Sequence, residues 1–196
     1  MSLVARVKAI LLTPRTEWPV IDGEPATVAS LYTGYIIPLA AIPAVASFIG
    51  LSLIGGNVLG VSYKVPIGTG ITGAIVRYIL SLVATYVLAL IIDALAPSFG
   101  GTKNSLAALK VAAYSSTAAW VVGIFMLIPS LSILGLLGLY SLYLLYLGLP
   151  VLMKAPQEKA MGYTVVVVLC AIVLFVVVGY VVGLAMGPRI TGVPTP

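Results

Sequence analysis

The chain has 196 residues, 61% of them hydrophobic and only 8% charged, where a soluble domain carries about 25% charged residues. So few charges cannot cover a water-facing surface, which excludes a soluble globular protein and makes lipid the solvent. A formal net charge of +5 scattered along the chain counts against a nucleic-acid patch and for basic loops at an anionic membrane surface.

Residues 1–13 carry Leu3, Val7, Ile10 and Leu11 at helical spacing, with Arg6 and Lys8 beside them. That pattern predicts a short helix lying in the membrane interface, with a frayed tail as the alternative. Arg6 and Lys8 interrupt the apolar run that a signal peptide needs, and no small-residue cleavage site follows. Residues 14–25 hold Pro14, Pro19 and Pro25, which predict a broken helix, and three of the five acids, Glu17, Asp22 and Glu24. The stretch reads as a solvated connector with Trp18 at the headgroup level. A metal site would need ligands converging from fixed geometry, which a proline-punctuated tail does not supply.

Five apolar runs follow, each about the twenty residues that cross a hydrocarbon core of roughly 30 Å. They cover residues 31–54, 70–95, 106–128, 131–152 and 163–186. The expected fold is all-α, a bundle of five transmembrane helices with a short interfacial N-terminal helix. Residues 1–30 form the cytosolic or interfacial segment, 31–186 the membrane domain and 187–196 a short tail. Little separates the third run from the fourth, so these two should make a tight antiparallel hairpin. Arg6, Lys8, Arg15, Lys103, Lys154 and Lys159 fall on one side, with Lys110 near its edge. The other side holds Lys64 and Arg189, plus Arg77 if that residue snorkels. Basic loops stay cytoplasmic, which puts the N-terminus inside and the C-terminus outside, across the cell (inner) membrane if the chain is prokaryotic.

Pro38 and Pro43 should bend the first span, because each removes a backbone hydrogen bond. Tyr140, Tyr143 and Tyr146 place three hydroxyls along one side of the fourth, as a packing seam or, alternatively, a polar pathway. Ser115, Ser116 and Thr117 can return their hydroxyls to the preceding turn. Gly179, Gly183 and Gly187 recur at four-residue spacing in the fifth span, which lets a helix approach closely. Packing within the chain is the favoured use, and a second copy the alternative.

The segment Gly68-Thr69-Gly70-Ile71-Thr72-Gly73 matches a dinucleotide-binding pattern, with Asp93 twenty residues on. That fingerprint needs two strands, whereas residues 74–92 have membrane length, so no cofactor is expected. The absence of histidine removes the commonest general base and metal ligand, and the single Cys170 can form no internal disulfide. No catalytic, cofactor-binding or metal-binding residue is assigned. The candidate functional or structural charges are Arg77, Asp93, Lys103 and Lys110. Arg77 and Asp93 lie sixteen residues apart, roughly 24 Å along a helix, and cannot pair. Asp93 and Lys110 flank the loop between the second and third spans, and a lysine stem could bridge them; the alternative is that each snorkels separately.

The chain resembles the Yip family of five-span membrane proteins, named for interaction with Ypt/Rab GTPases, and is most similar to its compact prokaryotic members. The resemblance rests on Leu12-Thr13-Pro14-Arg15-Thr16-Glu17-Trp18-Pro19 with Glu24-Pro25, then Tyr35-Ile36-Ile37-Pro38-Leu39. It continues through Phe99-Gly100-Gly101, Ala112-Ala113-Tyr114-Ser115 and Leu127-Ile128-Pro129. The family implies five spans, a cytosolic N-terminus and, in eukaryotes, a role in membrane trafficking with prenylated Rab GTPases. That role runs through a longer amino-terminal region; here about thirty residues precede the first span, which counts against a GTPase partner. The function expected is a non-enzymatic membrane scaffold or adaptor, whose partners are the lipid bilayer and a second copy or another membrane protein. The alternative is a small transporter or channel using Arg77, Asp93 and Lys110.

Overall fold

The computed structural model describes residues 1–58 and 61–186. Helix α1 (Leu3–Leu12) starts at Ser2, whose hydroxyl accepts from Ala5 N at 3.3 Å. Helix α2 (Pro14–Gly23) follows after the single residue Thr13, and corrects the expectation of a broken connector. Pro14 stands at the first helical position, where a missing N–H costs nothing, and Pro25 lies beyond the end. Only Pro19 is interior, and the burial of Trp18 and Ile21 on either side of it holds the helix together.

Five helical segments among the described residues are long and apolar enough to cross a membrane: Val28–Ile54, Ile67–Phe99, Ser105–Leu127, Pro129–Met153 and Gln157–Ala185. These are spans 1 to 5, and the chain is an all-α polytopic membrane protein. Span 1 opens with a reciprocal cap, Thr27 and Ser30 each accepting from the other's backbone N–H at 3.1 and 2.9 Å. It runs through α3 (Val28–Leu31), a π segment at Tyr32–Ile36, α4 (Ile37–Phe48) and a second π segment at Ile49–Ile54. The wide turn before Pro38 accommodates its missing donor. A short antiparallel hairpin, β1 (Gly56–Val58) with β2 (Val61–Tyr63), connects to span 2. These strands differ from the all-helical expectation for this stretch.

Span 2 is mainly α5 (Ile67–Leu95), followed by a 3-10 turn at Ala96–Phe99. Its 29 residues extend about 43 Å at 1.5 Å each, so it overshoots the hydrocarbon core. Gly70 packs against Ser52 of span 1. Span 3 comprises α6 (Ser105–Ser115), α7 (Thr117–Val122) and a 3-10 stretch, Gly123–Leu127. It turns at Ile128 into span 4, which is 3-10 over Pro129–Leu139 and then α8 (Tyr140–Met153). That turn and the packing of α7 against Pro129–Leu139 make the expected antiparallel hairpin. Lys154, at φ 56°, ends α8, and α9 (Gln157–Met186) forms span 5. It starts six residues before the sequence-based boundary, because Gln157, Glu158 and Lys159 are polar yet helical.

Helix α5 packs against α4, α6 and α9, while α8 packs against α2, α6 and α9. Span 3 is the most enclosed, with every residue of Ala107 to Ser115 buried. Span 5 buries Ala160, Tyr163 and Val167 near its start, but exposes Val173, Phe175, Val176 and Tyr180 beyond. Gly179 and Gly183 meet no other atom within 4 Å where a Cβ would stand. The expected intramolecular glycine seam is therefore not made there; Val182, buried on the same turn, marks the face that meets the bundle. Gly187 lies outside the described residues.

Candidate functional site

A buried polar assembly lies where α1 and α2 fold onto one end of the bundle. Arg6 of α1 and Glu17 of α2 are only 5% and 7% exposed. A lone guanidinium or carboxylate so placed would cost several kcal/mol, and the two satisfy each other: Arg6 Nη1 donates to Glu17 Oε1, and Nη2 to Glu24 Oε2. The Tyr114 ring of α6 lies 5.9 Å from the guanidinium carbon, within cation–π range. Burial opposes the charge on Arg6, but the bond from Glu24 and the charges of Glu17 and Glu24 outweigh it and raise its pKa above the ordinary arginine value. The stability linked to that shift is present below the unfolded-state value and lost only at very alkaline pH, so the pair is not a switch near neutrality.

Lys110 of α6 completes the charge balance, with two cations and two carboxylates gathered at one end of two short helices. Its Nζ donates to Ile21 O at 2.7 Å and Glu24 O at 2.6 Å, the carbonyls that the end of α2 leaves without helical partners. The expected Asp93–Lys110 pair is not formed. Asp93 Oδ1 accepts from Asn104 N at 2.7 Å and braces the loop between spans 2 and 3. Lys110 turns away because α2, expected in water, packs against α6 and presents carbonyls there.

Trp18 is the hinge of the packing, and it is fully buried. A Cβ on Gly148 of α8 would stand 2.7 Å from its Cζ2, so the ring fits only because that position is glycine. Trp18 meets Tyr114 edge-on at 6.3 Å, Tyr114 meets Tyr35 at 4.5 Å, and the Tyr35 hydroxyl lies 2.7 Å from Thr117 Oγ1. Two outer ties complete the cap: Lys154 Nζ donates to Asp22 Oδ2 at 2.5 Å, and the Tyr140 hydroxyl donates to Leu11 O at 3.1 Å.

Of the four charges singled out from sequence, the structure brings only Lys110 to this assembly. Lys103 is exposed in the loop after span 2, and Arg77 is half-buried in α5, sixteen residues before Asp93. Gly68, Gly70 and Gly73 lie in α5 together with Asp93, so the glycine pattern and its acid share one helix. Ser115 and Ser116 both donate to Ala112 O, at 3.3 and 2.8 Å. Among the described residues no three His, Cys, Asp or Glu side chains converge as a metal site. Sequence reasoning missed Arg6, Glu17, Glu24 and Trp18 as one cluster, although all but Arg6 lie in the motifs that carried the family resemblance.

The Yip1 domain family model matches residues 8–178. Inner membrane protein YohC of Escherichia coli strain K12 is 28% identical over 127 residues, which cover 64% of this chain and 65% of that protein. The protein of the same name from Escherichia coli O6:H1 strain CFT073 matches to the same extent. The chain thus spans just under two thirds of the length of these relatives. No solved structure matches.

Proposed function

The chain belongs to the Yip1 domain family, and on that premise we propose that it is a non-enzymatic membrane scaffold or adaptor. The observation that carries this reading is the cap itself: Arg6 joins α1 to Glu17 and Glu24, Lys110 of α6 holds the end of α2, and Trp18 against Gly148, Lys154–Asp22 and Tyr140–Leu11 fix the two helices to α8. A rigid platform of this kind presents a constant surface to a partner. The charges that a transport route would need are already engaged locally at Asp93 and Lys110, and Arg77 lies roughly 24 Å from Asp93 along α5. We also propose that the capped end faces the cytoplasm, supported by Arg6, Lys8, Arg15, Lys103, Lys154 and Lys159 on that side. The partner class is a second copy or another membrane protein.

The test is reconstitution of the full chain into liposomes. A scaffold gives ion flux and lipid scrambling equal to those of protein-free vesicles. Photo-crosslinkers placed at Lys103 and Glu158 in native membranes should yield discrete membrane-protein adducts. Flux above the vesicle background, lost on Asp93→Asn or Lys110→Met, would replace the scaffold by the transporter.

A further inference from the structure

A pocket of about 270 Å³ opens between α2 and the corner where α8 meets α9, lined by Arg15, Trp18, Tyr146, Leu147, Val151 and Gln157. Each polar side chain in that set offers a hydrogen-bond donor, and none is a carboxylate. Two of the donors lack an acceptor. Arg15 makes no hydrogen bond or ion pair with any described residue, and Trp18 Nε1 is buried without a partner. The Trp18 N–H is closed to solvent, so an acceptor arriving from outside meets Arg15, which is exposed.

The neighbouring acids are committed elsewhere: Glu17 to Arg6 and Asp22 to Lys154. Glu158 is exposed and outside the lining. A planar guanidinium among donors selects phosphate or carboxylate oxygens. Beyond Arg15 a second hollow of about 360 Å³ is bordered by Thr13, Thr16, Tyr140 and Tyr143. Leu136, Leu139 and Leu142, all exposed, continue along span 4 from there. A donor-lined seat beside an apolar strip has the form of an amphiphile.

We propose that this pocket seats the phosphate of an anionic phospholipid headgroup. Arg15 donates to its oxygens, with the Tyr146 hydroxyl and the Gln157 amide beside it, and the acyl chains lie along the exposed face of span 4. The site goes beyond the scaffold reading and stands whichever partner the scaffold has.

The experiment is native mass spectrometry of the delipidated full chain in detergent, titrated with phosphatidylglycerol, phosphatidylcholine or inorganic phosphate. Phosphatidylglycerol should bind more tightly than phosphatidylcholine, and Arg15→Gln should weaken it about tenfold, the loss of one charge-assisted fork. Lys8→Gln, which removes an exposed charge elsewhere on the cap, should change it by less than about twofold. Arg15→Lys, which keeps the charge without the fork, should fall between wild type and Arg15→Gln; this variant decides the matter if Arg15→Gln does not fold. Equal losses from Arg15→Gln and Lys8→Gln would mean diffuse attraction and overturn the site. Equal affinity for the two lipids, or inorganic phosphate binding as tightly as phosphatidylglycerol, would overturn the lipid assignment.

Discussion

Arg6→Met keeps an unbranched apolar stem in α1 and removes the charge. Glu17 is then left 7% exposed with no cation, and breaking a buried pair from one side costs about 3–5 kcal/mol. The second partner adds little, because the Glu24 side chain is 44% exposed and such pairs contribute roughly 0–1 kcal/mol. Glu17→Met strands Arg6 in the same way, although Glu24 remains to hold it, so its cost should be the smaller of the two. The double variant Arg6→Met with Glu17→Met removes both charges and should cost less than the two single losses added together, by a coupling of about 0.5–3 kcal/mol. The assay is reversible unfolding of the purified chain in mixed micelles, by titration with a denaturing detergent. Additive losses would refute the buried pair, and an unchanged Arg6→Met would place α1 outside the folded structure.

Lys110→Met should destabilise by about 1–3 kcal/mol through the two α2 carbonyls it abandons; combined with Asp93→Asn in the same unfolding assay, the losses should add within about 0.5 kcal/mol, whereas strong coupling would restore the pair expected from sequence. Gly148→Ala drives a methyl into the Trp18 ring and should cost about 1–3 kcal/mol, while Gly183→Leu, facing open space, should leave the melting temperature unchanged. A reporter enzyme active only in the cytosol should be active when fused after Lys159 and silent after Arg189; the opposite result would invert the proposed orientation.

The five spans were legible because membrane crossing demands about twenty apolar residues in a row, and that demand acts locally. Their internal windings were not, since the π and 3-10 stretches answer to prolines and neighbours that periodicity does not resolve. The cap was misread for two physical reasons. Counting prolines ignores position, and Pro14 begins a helix that Pro19 alone interrupts. Pairing charges along the chain ignores packing, and the partners of Lys110 lie 86 and 89 residues away. Gly179 and Gly183 of span 5 face open space, because spacing alone does not say which way a face points. The family motifs held more than the composition did: Glu17, Trp18, Glu24, Tyr35 and Tyr114 all sit in them, and all meet in the cap.

Hydrogen exchange of the peptide covering residues 14–25 in lipid nanodiscs reads the state of α2 directly. Helix α2 buried on α6 and α8 should exchange slowly, at rates near those of the enclosed α6 amides, and Lys110→Met or Arg6→Met should speed its exchange without altering that of α9. Exchange of this peptide at the rate of an unstructured chain, in the wild type, would mean that the segment is a solvated connector and that the cap does not exist.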